Sequence, residues 1–381
     1  MTLTRKPATK IGRRQFLTGA AATATLTAAS SGAPPDAEWR NKQSGMTYRR
    51  LGRTGFMVSS MGMGGNDIRP DNSDHVLYAI DHGINYFDTS PTYGRGLSEA
   101  GYGAAIKARG RGKMFITSKV PDDATRDTQA YQDIFESLPA SEQAKYRSLV
   151  REKTEESGAL EPDYAVHYFG SQLRRLRREV LNSLLAEKYA DRIQPRTRYR
   201  EEIIASVEAS LKRLGTDYLD CLLAPHGTDT PYHVTNHPEV FEAFETLRKQ
   251  GKVRHFGLSA HSDPGGVLSA AIDSGQYSMA MIAYNFINHR FVDAALEKAR
   301  EADFGVTVMK ASRGIQNPFQ RSRLVTGRVK AVNELVPGED LSPFQKGFKW
   351  VLGNENISTI AAGMANMEET KQDVPLGMKG T

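Results

Sequence analysis

Cysteine, metal-ligand clusters and long apolar runs are what this sequence has least of. Cys221 is the single cysteine in 381 residues, which excludes an internal disulfide and any cysteine-ligated cluster. No histidine or acidic cluster has the spacing of a metal site. Beyond the N-terminus, no apolar run is long enough for an ordinary membrane span. The Gly-x-Ser-x-Gly motif of serine hydrolases is also absent. These absences leave a globular protein whose chemistry depends on other side chains.

Charge adds little information about partners. Hydrophobic residues make up 39% and charged residues 25% of the chain, which are values typical of a globular protein with a sizeable core. The formal net charge is +6, and part of it comes from basic residues of the N-terminal segment that we expect to be removed. We therefore predict neither nucleic-acid binding nor membrane binding of the mature protein.

Residues 1–33 have the organisation of a targeting segment. A basic stretch ends in Arg13-Arg14-Gln15-Phe16-Leu17, and a mildly apolar stretch rich in Ala and Thr follows it. This resembles a twin-arginine signal peptide, which implies the twin-arginine export machinery as a partner and a periplasmic or exported protein. The alternative is a disordered basic tail on a cytoplasmic protein. Residues 34–45 contain Pro34 and Pro35 and then polar residues, so we predict a linker there.

Short apolar runs alternate with amphipathic segments through the rest of the chain, 46–375. This alternation predicts an α/β fold of the (β/α)8 TIM barrel type, with eight strand–helix units. The predicted strands are Val58–Met63, Ile84–Asp88, Met114–Lys119, Tyr218–Leu223, His255–Ser259, Met279–Phe286, Gly305–Lys310 and Ile357–Ala361. Residues 121–200, after the third strand, are far longer than a normal βα loop and are rich in helix formers. We predict a helical insertion at the catalytic face.

Four side chains suited to carbonyl chemistry lie at or just after predicted strand ends. Asp88 ends one strand, Tyr93 follows on a Pro-Gly turn, Lys119 ends the next strand, and His226 follows the fourth. In a parallel α/β barrel these ends converge on the face that carries the chemistry. Carbonyl reduction leaves an alkoxide that needs a proton. Tyr93 is then the predicted acid, with its pKa lowered by Lys119, which Asp88 holds in place.

The histidine is the least certain member of this set. His226 would donate a hydrogen bond to the carbonyl oxygen and orient it. His167, His233 and His261 compete for the same role, and His261 follows a predicted strand end.

The stretch from Ile84 to Gly94 resembles the signature of the aldo-keto reductase family. Further stretches similar to the family follow the expected order, among them Leu51–Gly55, Ser210–Asp220, Gly257–Ser259 and Gly363–Met364. The resemblance covers roughly residues 46–375 apart from the insertion. It implies a TIM barrel and hydride transfer between a nicotinamide and an aldehyde, ketone or sugar carbonyl.

The resemblance also implies an NADP or NAD cofactor. Its predicted contacts are Gly65, Ser259, Lys310, Gly363, Asn366, Gln372 and Asp373. Ala260 and Met281 stand where many members have an asparagine and a glutamine, and Lys310 replaces the aromatic residue that stacks on the nicotinamide. This version resembles a bacterial branch of the family. Glu369 stands where a basic residue often meets the 2′-phosphate, so the choice between NADP and NAD stays open.

Two further alternatives stay open. Arg174, Arg175, Arg177 and Arg178 in the insertion are either a solvated helix face or an anion-binding or partner surface at the mouth of the site. The departures on the cofactor side also permit another class of protein. In that class the chain is an exported cofactor-binding or regulatory barrel with little turnover.

Overall fold

Eight parallel strands close into a barrel in the part of the chain that the structure describes. The structure, a computed structural model, describes residues 36–120, 124–161, 164, 172–193, 198–224, 230–236, 238–317, 320, 322–338 and 340–380. The barrel strands are β4 (Met61–Gly64), β5 (Tyr86–Asp88), β6 (Phe115–Lys119), β7 (Leu219–Leu223), β8 (Val253–Ala260), β9 (Met279–Ala283), β10 (Gly305–Met309) and β11 (Thr359–Gly363). They pair in chain order, and β11 closes the barrel on β4. The predicted (β/α)8 fold is confirmed.

A small sheet closes the N-terminal end of the barrel. It consists of β1 (Glu38–Trp39), β2 (Tyr48–Arg50) and β3 (Phe56–Ser59), in the order β1-β3-β2. The predicted strand Val58–Met63 is therefore wrong as a single element. Ser59 pairs with Tyr48 in the small sheet, whereas Met61 pairs with Ile360 in the barrel. The apolar pattern runs through both strands and carries no sign that their hydrogen-bonding partners change.

Helices follow the barrel strands; most of them cover the outside of the barrel, and three belong to the insertion after β6. They are α1 (Asp74–Asp81), α2 (Leu97–Arg109), α3 (Ala124–Ser137), α4 (Ala140–Glu156), α5 (Gln172–Tyr189), α6 (Tyr199–Leu214), α7 (Pro238–Lys249), α8 (Pro264–Ser274), α9 (Asp293–Glu301), α10 (Thr326–Leu335), α11 (Pro343–Leu352) and α12 (Met367–Asp373). Several begin where local chemistry dictates. Asp263 caps α8 by accepting from the Gly266 N–H at 3.0 Å, and Ser342 and Gln345 form a capping box at α11. Among the described residues, no helix has the length and apolar character needed to cross a bilayer.

The core has two apolar layers. The larger one lies between the sheet and the surrounding helices. The smaller one fills the barrel interior, where Phe56 of the small sheet meets Phe115 of β6 with ring centroids 4.7 Å apart. Because side chains plug the N-terminal end, the barrel is a solid scaffold that leaves chemistry to the opposite end.

The segment before β2 is tied to the barrel by ion pairs. Asp220 of β7 is fully buried and accepts from Arg40 at 2.8 Å, Arg111 at 2.7 Å and Arg254 at 3.4 Å. Glu38 of β1 bonds Arg40 at 2.7 Å and Arg254 at 2.6 Å. This packing differs from the linker predicted for 34–45. We call these five residues, Glu38, Arg40, Arg111, Asp220 and Arg254, the floor cluster.

The insertion contributes α3, α4 and α5, which share a small apolar core of their own. Its contacts with the barrel reach the loops after β7, β8 and β9. Gln172 donates to the His261 carbonyl at 2.9 Å, the Tyr164 hydroxyl donates to Asp263 at 2.8 Å, and Ser183 lies 3.2 Å from Thr230. The insertion thus packs beside the C-terminal ends of these strands. Of its arginine cluster, Arg178 pairs with Glu179 at 2.6 Å, and three of the four arginines are exposed.

Candidate active site

Asp88 and Lys119 meet at the C-terminal ends of neighbouring barrel strands. In the register of β5 and β6, Asp88 pairs with Thr117. Lys119 lies two residues further along β6, and its side chain reaches Asp88 from there. The Lys119 ammonium donates to Asp88 Oδ1 at 2.6 Å, and the Thr117 hydroxyl donates to the same oxygen at 2.8 Å. Both charged residues are at most 3% exposed. Because an unpaired buried charge is strongly destabilising, each of these two residues requires the other as its counter-ion.

Lys119 also contacts the turn that carries Tyr93. Its ammonium donates to the Thr89 carbonyl at 2.8 Å and lies 4.7 Å from the centre of the Tyr93 ring. Burial lowers the pKa of Lys119, but the charges and hydrogen bonds of Asp88 and Tyr93 outweigh it, so the pKa is raised overall. Lys119 therefore stays an ammonium at neutral pH and presents positive charge to the phenol.

The pKa of Tyr93 moves in the opposite direction from the sequence prediction. Burial, the largest cause, raises this pKa above its ordinary value; the Lys119 ammonium lowers it, and the Asp88 carboxylate raises it again. The net result is a raised pKa. The sequence indicated the lysine but gave no measure of how much water the site excludes. The phenol is thus a protonated donor at neutral pH in this structure.

A left-handed turn brings Tyr93 to this position. Gly94, Arg95 and Gly96 have φ values of 56°, 56° and 89°, and α2 starts at the next residue. A Cβ on Gly96 would come within 2.7 Å of the Arg213 side chain, so this position requires glycine for space as well as for its conformation.

A buried ion pair lies beneath the turn, and the sequence patterns did not predict it. Glu99 of α2 is fully buried; it accepts from Arg213 at 2.7 Å and from the Ser118 hydroxyl at 2.8 Å. Ser118 directly precedes Lys119. Glu99 therefore links the turn of Tyr93 to the strand end of Lys119. An acidic residue in the first turn of a helix was the available signal, and it is usually explained by the helix dipole alone.

The histidine of the site stays a prediction. His226 and His167 lie outside the described residues. His233 Nδ1 lies 3.3 Å from the Thr230 hydroxyl and its Nε2 lies 3.8 Å from Glu179, so its described contacts are with the insertion and its own loop. His261 follows β8, as predicted, and its carbonyl accepts from Gln172.

On the cofactor side, two predicted residues have environments that suit a bound group. Ser259 of β8 is 1% exposed, and its hydroxyl has no hydrogen-bond partner among the described residues. A buried hydroxyl of this kind is suited to a ligand amide. A Cβ on Gly65 would come within 2.4 Å of the Asp88 carbonyl, so Gly65 lets the loop after β4 approach Asp88 closely. Lys310 follows β10 with φ of 64° and is partly exposed.

The other predicted cofactor residues lie at and after the end of β11. Gly363 is exposed, and no atom of the described residues lies within 4 Å of a Cβ built on it. Asn366 caps α12 by accepting from the Glu369 N–H at 2.9 Å. The backbone carbonyl of Gln372 accepts from Gln345 at 3.1 Å. Asp373 is buried, and burial together with the Glu369 charge raises its pKa to about 7. Among the described residues, no group of three or more metal-ligating side chains converges.

Side chains fill the N-terminal end of the barrel, and Asp88, Lys119 and Tyr93 are in contact at the other end. This combination of fold and site is typical of one class of oxidoreductases. The model of the aldo/keto reductase family matches residues 60–146 and 162–374. The chain belongs to this family of oxidoreductases, whose members use nicotinamide cofactors.

Individual relatives are distant. Aldo-keto reductase AMT2 of Alternaria alternata is 29% identical over 232 residues, 58% of this chain, and the chain spans only 51% of that relative. The uncharacterized oxidoreductase YqkF of Bacillus subtilis is 22% identical over 86% of this chain and 90% of its own. The solved aldo-keto reductase AKR11C1 from Bacillus halodurans, in its holo form, has a TM-score of 0.56 at 20% identity, covering 87% of this chain and 90% of its own. This structural likeness supports the fold.

Proposed function

We propose that the protein is a nicotinamide-dependent reductase or dehydrogenase that acts on an aldehyde, ketone or sugar carbonyl, with Tyr93 as the general acid. The observation that carries this proposal is the contact of Tyr93 with a lysine that is itself fixed by Asp88. When bound, the cofactor supplies the hydride. The chain supplies the proton.

The described residues account for the proton step. In the reducing direction, the Tyr93 O–H bond breaks as its proton passes to the substrate oxygen, and a phenolate remains. The Lys119 ammonium lies against the ring and stabilises that phenolate. Asp88 keeps the ammonium charged and in place through the 2.6 Å bond. The raised pKa of Tyr93 ensures that the proton is present before the reaction starts.

The residues present fit a nicotinamide cofactor at one point in particular. The buried Ser259 hydroxyl has no partner among the described residues and would bind the carboxamide. Gly363 leaves open space at the end of β11. The family resemblance places position 310 beside the nicotinamide ring, so Lys310 would lie next to that ring. Glu369 argues for NAD over NADP, since its carboxylate occupies the start of α12.

Replacing Tyr93 by Phe tests the assignment. The phenyl ring preserves the packing against Lys119 but removes the proton donor, so kcat for carbonyl reduction should fall at least about 100-fold. Cofactor affinity, measured by quenching of NADH or NADPH fluorescence, should stay within about twofold because Tyr93 is not assigned to the cofactor. Turnover close to that of the wild type would refute Tyr93 as the acid.

A cofactor-binding barrel with little turnover is the second candidate. Ala260 and Met281 are fully or nearly fully buried apolar residues where the family resemblance implies amide side chains. Fewer carboxamide contacts would weaken the alignment of the ring for transfer. Titration with NADH and NADPH, followed by addition of a panel of aldehydes, ketones and sugars, separates the two candidates. Saturable binding without oxidation across the panel supports this second function.

A further inference from the structure

Arg69 lies directly against the turn that carries Tyr93. It belongs to the loop after β4. A Cβ built on Gly94 would come within 2.8 Å of the Arg69 Cζ and within 3.0 Å of its Nε and Nη2. Gly94 follows Tyr93 in the chain, so the guanidinium is one residue from the proposed acid. The absence of a side chain at Gly94 is what gives Arg69 this space.

The loop fixes the arginine in this position. The Arg69 Nη1 donates to the Asn66 carbonyl at 2.9 Å and to the Ile68 carbonyl at 2.7 Å, and the Arg69 N–H donates to the Asn72 side chain at 2.7 Å. The loop also packs on α2, where a Cβ on Gly101 would come within 2.9 Å of the Arg69 carbonyl carbon. The side chain is therefore preorganised before any ligand arrives.

The charge of Arg69 has no counter-ion in the described part of the chain. Both of its side-chain hydrogen bonds use Nη1 and end on backbone carbonyls. Asp67 and Asp71 belong to the same loop, yet neither forms an ion pair with Arg69. Asp67 instead accepts a hydrogen bond from the Asn66 side chain at 3.1 Å. By contrast, Arg213 beneath the same turn is paired with Glu99. The Nε and Nη2 donors remain for a planar or tetrahedral anion, which they can bind bidentately.

A second unpaired cation lies in the turn itself. Arg95 is exposed and, among the described residues, forms no ion pair. Its φ of 56° is left-handed, a conformation that costs a non-glycine residue about 1 kcal/mol. Gly94 and Gly96 flank it with left-handed conformations of their own. A glycine at position 95 would adopt this conformation with a smaller conformational free-energy cost. Strain of this kind is characteristic of functional sites.

The geometry points to a subsite for an anionic group of the substrate, formed by Arg69 with help from Arg95. The preferred substrate is then a carbonyl compound that also carries a carboxylate or a phosphate. This inference rests on the proposed function, because it takes Tyr93 as the residue next to the reacting carbonyl. Lys119 does not compete for the anion, since it is buried and its ammonium is bonded to Asp88.

Matched substrates test the inference. The ratio of kcat/KM is measured for 4-oxobutanoate against butanal, and for glyceraldehyde 3-phosphate against glyceraldehyde, with the full chain and whichever of NADH or NADPH it accepts. The wild type should prefer at least one anionic partner by about tenfold or more, and Arg69→Gln should abolish that preference. The pair that shows the preference identifies carboxylate or phosphate as the group bound. Arg95→Gly, which relieves the left-handed strain, should reduce the preference partially.

Arg300→Gln is the matched control. Arg300 is an exposed arginine near the end of α9, at the opposite end of the helix from the strand C-termini. It should leave the preference ratio as in the wild type. If the wild type has equal kcat/KM for the anionic and neutral compounds, or if its preference survives Arg69→Gln, the anion subsite is overturned. The reductase assignment stays intact in either case.

Direct binding keeps the test independent of turnover. Calorimetry on the Tyr93→Phe protein, loaded with cofactor, compares the four compounds with and without Arg69→Gln. A loss of about tenfold in affinity for the anionic compounds alone supports the subsite, even if no carbonyl is reduced. Equal affinity of charged and neutral compounds overturns it.

Discussion

At the scale of single residues, Glu369 lies at the start of α12, where we propose that a phosphate of the nucleotide binds. Its carboxylate accepts from the Ala365 N–H at 2.9 Å and from the Asn366 amide at 3.0 Å. These are donors that a phosphate at the start of α12 would otherwise use. If a nucleotide phosphate binds at this position, as we propose, the carboxylate occupies its donors and repels it.

We predict that Glu369→Gln shifts the cofactor preference toward NADPH. Glutamine keeps the length and an acceptor oxygen but loses the negative charge. The affinity for NADPH relative to NADH should rise about three- to tenfold, measured by fluorescence titration of both nucleotides. Glu368→Gln removes an equal charge from an exposed neighbour and serves as the control. If both variants leave the affinity ratio unchanged, the 2′-phosphate does not approach Glu369.

Asp373 gives a prediction about pH. Its pKa is raised from 3.8 to about 7, chiefly by burial, so the folded state favours the protonated acid more than the unfolded chain does. Stability is therefore lost as pH rises from about 4 to about 7 and levels off above that range. Asp373→Asn removes this loss. Relative to the wild type, it should gain about 1 to 3 kcal/mol more unfolding free energy at pH 8 than at pH 4.5.

Chemical unfolding at the two pH values measures this difference. Asp71→Asn is the control, because Asp71 is an exposed carboxyl whose replacement should act alike at both. A gain for Asp373→Asn that is the same at pH 4.5 and pH 8 would contradict a raised pKa.

At the scale of elements, the floor cluster determines how the chain enters the barrel. β1 pairs with β3 over only two residues, which is too little backbone pairing to hold a segment by itself. Arg40 compensates by reaching the buried Asp220 and by stacking its guanidinium 4.8 Å from the centre of the Phe56 ring. The segment is thus fixed by side chains more than by the sheet.

We predict that Asp220→Asn destabilises the protein by about 2 to 4 kcal/mol, because it leaves Arg40, Arg111 and Arg254 without their buried counter-ion. Asparagine keeps an oxygen for the Ile116 N–H, which now donates to Asp220 at 2.8 Å, so the loss reports on charge. Thermal or urea unfolding measures it. Asp217→Asn, three residues earlier and exposed, should change stability by less than about 0.5 kcal/mol. Equal effects of the two variants would mean that the cluster contributes little.

The elements also show what sequence patterns could predict and what they could not. Capping residues and apolar periodicity predict helices over Pro238–Lys249, Pro264–Ser274, Pro343–Leu352 and Met367–Asp373. These are the bounds of α7, α8, α11 and α12 in the structure. The division between β3 and β4 was not predictable, since both strands are apolar and only their partners differ. Helix α10 was missed, and α3 was predicted only as part of the helical insertion 121–200. The Glu99–Arg213 pair joins residues 114 positions apart, and local patterns carry no information on such contacts.

The site was predictable to the extent that strand ends alone define it. Asp88 and Lys119 each end a strand, so parallel register brings them together without further information. Arg69 was not predictable, because its proximity to Gly94 depends on how a loop folds back on itself. The direction of the Tyr93 pKa shift depended on burial, which the sequence does not express.

At the scale of the whole molecule, the two ends of the barrel differ in construction. Aromatic and aliphatic side chains with the floor cluster close the N-terminal end. At the other end, the loop after β4 packs on the turn of Tyr93, and the insertion packs on the loops after β7 and β8. A rigid scaffold with a loop-built mouth lets substrate choice change without loss of the buried ion pair. This division agrees with the low identity to the relatives at a retained fold.

We predict that this molecule works outside the cytoplasm. Arg13-Arg14 and the apolar stretch after them imply export of the folded protein by the twin-arginine route, so that cofactor is loaded before transport. Replacing both arginines by lysine keeps the charge but removes the pair that the export machinery recognises. The variant should stay in the cytoplasm at unprocessed length, whereas the wild type should appear in the periplasm, as measured by fractionation and mass. Arg5→Lys with Lys6→Arg, which leaves the pair intact, should be exported normally. A wild-type protein found only in the cytoplasm would make residues 1–33 a basic tail and would place the enzyme where free nicotinamide cofactor is supplied, which favours the reductase over the cofactor-binding barrel.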